Sequence, residues 1–314
     1  MPAGVRARAT VLSTVSATTF GMSGPLAKSV LLLGWSAPAV TTARVLLAAV
    51  LVTGGVAIVR PRSLRFSRRD VGLFVGYGLL GVAGAQLCFF LAVARIPVSA
   101  AMLLEFLAPV LVALWIRVVR RTRLRIGVWA GIVLALFGLS LVAEVWQGLR
   151  LDPLGVAAGL GSAVSAAGYF LLGEHGASGE NTGGMTAAGL LIGAVLVSFV
   201  CPPWMLPLHL LDAPTTLAGW HPPAWLVLIM LTVLATVVPY LTGIIALRHL
   251  PPTAASTLGL IEPTIATVAA WLLLGQTLRP VQLLGGAAIL GGAAVVQVGS
   301  ASRTKQAPPL TCPT

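Results

Sequence analysis

Long apolar runs alternate along this chain with short interruptions that carry arginine, proline or glycine. Ten runs stand out, at 10–29, 36–58, 71–93, 97–116, 126–145, 153–173, 185–203, 223–246, 251–273 and 280–299. Most come near the ~20 residues that cross a hydrocarbon core of ~30 Å as a helix. Inside the runs the apolar positions are continuous rather than alternating, which predicts helices and not the strands of a barrel. A helix satisfies its own backbone groups, as a lipid-embedded segment must. The first run follows Arg6 and Arg8 and has the outline of a signal peptide. A related segment recurs later in the chain, so it is read as a span. The tail, Ser300–Thr314, is polar and Pro-rich and is predicted to be disordered and cytoplasmic; the N-terminal residues 1–9 are predicted to be cytoplasmic as well.

Composition sharpens the membrane reading. Of 314 residues 57% are hydrophobic and 9% are charged, against roughly 25% charged in a soluble domain. The net charge of +12 would suit nucleic acid, but its placement excludes that partner. Fifteen Lys and Arg fall on one predicted face: Arg6, Arg8, Arg60, Arg62, Arg65, Arg68, Arg69, Arg117, Arg120, Arg121, Arg123, Arg125, Arg248, Arg303 and Lys305. Only Lys28, Arg95, Arg150 and Arg279 fall on the other, and Arg44 lies within a run. This is the positive-inside distribution, with both termini cytoplasmic. The basic runs are also short and lack interleaved aromatics. Trp204, Trp220 and Trp225 flank the longest external loop, at the level where amphipathic rings settle. Cys88, Cys201 and Cys312 have no paired spacing, so neither a disulfide framework nor a zinc site is expected. Cys312 is not placed for prenylation either.

An internal repeat organises the runs. Residues 97–142 align with 251–296 at a constant offset of 154, without a gap. The matches include Pro97/Pro251, Ala100/Ala254, Ala101/Ala255, Leu104/Leu258, Pro109/Pro263, Leu124/Leu278, Arg125/Arg279, Gly131/Gly285 and Gly138/Gly292. Earlier, Ser13, Val15, Ser16 and Ala17 match Ser162, Val164, Ser165 and Ala166. The chain is thus expected to be an all-α membrane protein of ten transmembrane helices in two five-helix units, 10–146 and 151–299. Five is odd, so the second unit enters the membrane from the opposite side. Such inverted repeats make two conformations, open to opposite faces, available at similar energy.

The segments Ile96-Pro97-Val98-Ser99-Ala100-Ala101 through Glu105-Phe106-Leu107-Ala108-Pro109, and Leu250-Pro251-Pro252-Thr253-Ala254-Ala255 through Glu262-Pro263 and Leu274-Gly275-Gln276, resemble the drug/metabolite transporter superfamily. Within it they resemble EamA-type transporters, and the Glu-Phe-Leu-Ala-Pro run is similar to the threonine/homoserine exporter branch. The resemblance spans Thr10 to Gly299. It implies a central cavity walled by helices one, three, four, six, eight and nine, and transport of a small metabolite. Gln276 departs from the acidic residue that members often carry there, and the first half has Arg120-Arg121-Thr122-Arg123 at the equivalent place.

An ionisable residue near the bilayer centre costs roughly 2.5–3.5 kcal/mol on insertion scales, so Arg44, Glu105 and Glu262 each need a reason. Arg44 and Glu105 both sit ~12 Å from the external face, which allows a direct ion pair, either structural or in contact with substrate. Glu262 sits ~16 Å into the ninth helix, close to the midplane. In the repeat register Glu262 equates with Ala108 and Glu105 with Gly259. Positions three apart share a helix face, so the two carboxylates occupy equivalent faces one turn apart. Pro109 and Pro263 each remove a backbone donor and free a carbonyl close by. Gln86, Ser165, Tyr169 and Tyr240 are further lining candidates. Gly131, Gly138, Gly285 and Gly292 repeat at seven residues and predict one tightly packed helix pair.

Enzyme signatures are poor. Gly21-Met22-Ser23-Gly24 superficially matches an intramembrane protease motif, yet such a serine needs a base in reach. His175, His209, His221 and His249 all fall in loops or at helix ends. No metalloprotease, phosphate-loop or dinucleotide motif occurs, and no cofactor or metal is expected. The pattern predicts a secondary transporter in the plasma membrane that exports amino acids or related small metabolites. Two Lys against eighteen Arg point to a GC-rich bacterial source. Proton coupling through Glu105 or Glu262, exchange and facilitated diffusion are all open. The rivals are a permease for lipophilic drugs or another metabolite, and a non-transporting membrane enzyme or helper subunit.

Overall fold

The computed structural model describes residues 3–64, 71–96, 98–142, 152–177, 182–275 and 279–301. Arg65, Arg68, Arg69, Pro97, Arg150, Gln276, Leu278, Arg303, Lys305, Cys312 and most of the predicted tail lie outside them. The described residues are helical, with two isolated bridges in the 214–223 stretch and no strand. Seven helices are long and apolar enough to cross a membrane: Ala37–Val59, Val71–Val93, Ala100–Val118, Pro153–Gly176, Thr182–Val200, Ala224–Leu247 and Pro252–Leu274. Ile126–Val142 and Pro280–Val296 are apolar but shorter. The first expected span is interrupted at Met22, which separates α1 (Ala3–Gly21) from α2 (Ser23–Leu31). The chain is a multi-pass membrane protein.

Proline and small polar residues start many of the elements, where a missing N–H costs nothing. Ser36 caps α3 (Ala37–Val59) by accepting from the Ala39 N–H at 3.3 Å, with Pro38 in its first turn. α4 (Val71–Gly76), a π-helical stretch (Tyr77–Gly84) and α5 (Ala85–Val93) form one rod. α6 (Val98–Glu105), α7 (Ala108–Val118) and α8 (Ile126–Val142) complete the first half. α9 (Pro153–Ala177) and α10 (Thr182–Val200) follow, then α11 (Ala224–Thr232), a π-helical stretch (Val233–Val237) and α12 (Val238–Leu247). α13 (Pro252–Gly259), α14 (Ile261–Leu274) and α15 (Pro280–Ala301) end the chain.

The irregularities recur in the repeat register. Pro109 offers no N–H to the Glu105 carbonyl, and α6 stops at Glu105. Pro263 offers none to the Gly259 carbonyl, and α13 stops at Gly259, 154 residues later. Both breaks tighten to three-residue turns, Leu107 N–H to Leu104 O and Leu260 N–H to Thr257 O, each 3.1 Å. The same offset carries the second π-helical stretch into the first, and carries the end of α5 at Val93 onto the end of α12 at Leu247.

α8 and α15 pack most closely. A Cβ built on Gly131 would stand 2.7 Å from the Gly292 carbonyl oxygen, and one on Gly138 2.5 Å from that of Gly285. Gly131 therefore faces Gly292 while Gly138 faces Gly285, so the two helices run antiparallel. Close approach of backbones is what glycine permits in a membrane interface.

Buried clusters tie the bundle together at both ends. At the end carrying Arg60, Arg117 and Arg248, one draws together α1, α3, the first π-helical stretch, α10, α12 and α13, including Ala9, Val52, Tyr77, Met185, Leu247 and Leu250. Two more lie at that end, one joining Val112 and Ile116 to Ala167 and one joining Ala113 to Val128 and Val296. At the opposite end one cluster joins α2, α3, α11 and the 203–223 loop through Val30, Trp35, Leu217 and Leu231. Another joins α5, α6 and α9 through Ala92, Ala101 and Ala158.

Candidate functional site

A cavity of about 380 Å³ lies at the centre, where the broken helices α1/α2, α6/α7 and α13/α14 meet α3, α5, α9 and α12. Arg44, Gln86, Glu105, Pro109, Tyr169, Tyr240 and Glu262 all line it. Seven sequence candidates from seven different elements thus converge on one space. Ser165 and Pro263 do not line it. Ser165 is buried behind the wall, its Oγ 2.8 Å from where a Cβ on Gly84 would lie. Pro263 is buried in the first turn of α14, and its carbonyl accepts from Thr267 Oγ1 at 2.8 Å.

Three charges face one another across this space, and their immediate partners differ. The ion pair allowed between Arg44 and Glu105 is not formed. Arg44 Nη1 donates instead to Ser23 Oγ at 2.6 Å, because the break at Met22 sets Ser23 against α3. Arg44 Nε is buried without a hydrogen-bond partner. Glu105 Oε1 accepts from Ser162 Oγ at 2.9 Å. Glu262, one residue after the start of α14, has no side-chain hydrogen bond to a described residue and faces the cavity. Ion pairs form at the bundle ends, Arg95 with Asp152 at 3.2 Å and Arg120 with Glu174 at 2.6 Å.

The rest of the wall is small or aromatic apart from Met102 and Leu247. The Tyr169 ring stands between Tyr77, at a centroid distance of 5.6 Å, and Tyr240, at 5.8 Å and nearly perpendicular. Phe20 packs edge-on to Tyr240 at 5.4 Å, and Phe170 to Tyr169 at 5.0 Å. Tyr240 Oη donates to the Gly81 carbonyl at 3.0 Å, which fastens α12 to the first π-helical stretch. Ser16 Oγ donates to the Pro239 carbonyl at 2.8 Å and fastens α1 to α12. Such π-helical irregularities often mark functional sites. No group of three or more His, Cys, Asp or Glu that could hold a metal forms among the described residues.

Sequence reasoning overlooked Ser23, Ser162 and the aromatic wall of Phe20, Phe89, Phe106 and Phe170. Ser162 was visible as the repeat partner of Ser13, but nothing in its neighbours told which residue its hydroxyl would reach. Ser23 stands inside a chance motif, and nothing in that motif points to Arg44 as its partner.

The EamA-like transporter family model matches the chain twice, over residues 8–143 and 153–298. The threonine/homoserine exporter RhtA of Escherichia coli strain K12 is 32% identical over 259 residues, which cover 81% of this chain and 79% of that protein. RhtA of Salmonella typhimurium strain LT2 is 31% identical over the same length. The uncharacterized transporter YwfM of Bacillus subtilis strain 168 is 28% identical over 199 residues, 63% of each chain. Among solved proteins, one crystal structure superposes with a TM-score of 0.74 over 95% of this chain and 99% of its own, at 21% identity, which shows a shared fold. The chain belongs to the EamA-like transporter family.

Proposed function

We propose that this EamA-like transporter exports zwitterionic amino acids across the bacterial plasma membrane, as a ten-span carrier of two inverted halves, 10–146 and 151–299. The observation that carries this reading is that one guanidinium and two carboxylates, each from a different helix, face a single cavity. An α-amino acid presents a carboxylate, for which the planar Arg44 fork is the natural partner. It also presents an ammonium, which Glu105 or Glu262 can accept. Pairing every buried charge avoids the cost of an unmatched ion. The aromatic wall takes the side chain. The exporters of threonine and homoserine among the relatives move molecules of this class, which supports the assignment.

Charge balance supports a proton as the counter-ion. Arg44, Glu105 and Glu262 together sum to one negative charge, and a zwitterion leaves that sum unchanged. One proton neutralises it. Glu262, which no described side chain holds, is the group we assign to that proton, and Glu105 the group that receives the ammonium.

In an inverted-repeat carrier, alternating access exchanges the conformations of two halves related by an axis in the membrane plane. The reciprocal facing of Gly131 with Gly292 and of Gly138 with Gly285 supports this, since repeat-equivalent helices that pair antiparallel are related by an axis perpendicular to both. With the arginine-rich end cytoplasmic, as its charge favours, both termini are cytoplasmic.

The test is counterflow in proteoliposomes with L-threonine, homoserine, an amine lacking the carboxylate and a carboxylate lacking the amine. The two zwitterions should be carried and the single-charge analogues bound more weakly and not carried, and Arg44→Gln should lose at least tenfold in zwitterion affinity, about the worth of one charge-assisted hydrogen bond. Transport of lipophilic amines with no amino-acid flux would replace this reading with that of a drug permease.

A further inference from the structure

The two cavity carboxylates are held differently, and the difference traces to one hydroxyl. Ser162 in α9 is fully buried. Its Oγ lies 2.9 Å from Glu105 Oε1 on α6 and 3.1 Å from the Ala85 carbonyl oxygen, the first residue after the π-helical stretch. A serine hydroxyl has one proton to donate, so these two acceptors share it.

This reach depends on how near α9 comes to its neighbours. A Cβ on Gly159 would stand 2.6 Å from Leu104 Cδ1, and one on Gly155 2.7 Å from Ile96 Cγ2. Glycines on this face bring the α9 backbone onto α5 and α6, close enough for the shortest hydroxyl side chain to touch Glu105. Glu262 has no such partner among the described residues. In the repeat register the carboxylate of the first half stands where the second half has Gly259, and the Ser162 equivalent, Ser13, lines the cavity instead. The halves are therefore chemically unlike at this point.

We propose that Ser162 is a positioning residue that fixes the Glu105 carboxylate in the orientation that receives the substrate ammonium. This rests on the reading of Glu105 as the ammonium acceptor. A free carboxylate on a helix end samples several rotamers, and ordering it on binding costs affinity. Ser162 removes that cost beforehand. When an ammonium satisfies Glu105, the hydroxyl proton still has the Ala85 carbonyl, so the buried serine is not left without an acceptor in the loaded state. Ser162 touches no substrate itself; it acts through Glu105.

The experiment uses the full-length protein in lipid nanodiscs, with two readouts. The first is the infrared carboxyl band of Glu105, identified by its disappearance in Glu105→Gln. The second is calorimetric affinity for L-threonine and for 3-hydroxybutyrate, the same skeleton without the amine. Ser162→Ala removes one oxygen and should shift the Glu105 band. It should weaken L-threonine roughly tenfold while leaving 3-hydroxybutyrate within about twofold, since only the amine engages Glu105. An unshifted band, or an equal loss for both ligands, would overturn the proposal, the second result marking Ser162 as packing alone. Should Ser162→Ala shift the band while Glu105→Gln binds L-threonine like the wild type, the pairing stands and the assignment of Glu105 as ammonium acceptor fails.

Discussion

Gly138 of α8 and Gly285 of α15 face each other so closely that a Cβ on Gly138 would lie 2.5 Å from the Gly285 carbonyl oxygen, and one on Gly285 2.6 Å from that of Gly138. Backbone stands on both sides, so neither partner can rotate away. Gly138→Ala should therefore destabilise the protein by about 1–3 kcal/mol, the usual cost of overpacking a tight core. Gly127 near the start of the same helix has nothing within 4 Å of its would-be Cβ. There alanine should be neutral or stabilising by about 0.5–1 kcal/mol, from helix propensity. Thermal melting in one detergent compares the two, and equal melting temperatures would contradict the packing described.

Glu262→Gln keeps the size and hydrogen-bonding capacity of the side chain and removes its proton. The expected outcome is that amino-acid flux no longer responds to an imposed pH gradient, while exchange of labelled for unlabelled substrate continues. Proteoliposomes with a pH step across the membrane measure both. Undiminished response to the gradient would make Glu262 a structural carboxylate.

The orientation is checked by labelling. Single cysteines at Arg62, in the short helical turn after α3, and at Asp212, in the loop between α10 and α11, are both at exposed positions. In intact cells an impermeant maleimide should modify the cysteine at position 212 and spare the one at 62 until the membrane is opened. The reverse pattern would invert the orientation.

The Glu105 and Glu262 pair shows how far the repeat alone reaches. An offset of 154 puts both carboxylates on equivalent helix faces, and the structure brings both to one cavity. Their inequality was not legible. It arises because α9 comes within hydroxyl reach of α6, and a contact between residues 57 apart in sequence has no periodic signature. Arg44 teaches the same lesson from the other side. Its depth was readable from the length of its helix, and depth permitted Glu105 as a partner. The break at Met22 gave it Ser23 instead; Pro25, which offers no N–H to the Gly21 carbonyl where α1 stops, marks the break but not the side chain it brings to Arg44.

By itself, the sequence determined a helical membrane chain built from two related halves, the glycine seam between α8 and α15, and the proline breaks beside the carboxylates. Each of these follows from composition, local backbone chemistry or self-similarity, which are properties of the chain read one segment at a time. The tertiary structure alone decided which side chains answer Arg44 and Glu105 and where the aromatic wall stands. Those depend on distances between helices far apart in sequence. In a bilayer such distances are set by close packing of small residues, because apolar side chains gain little by leaving lipid for one another.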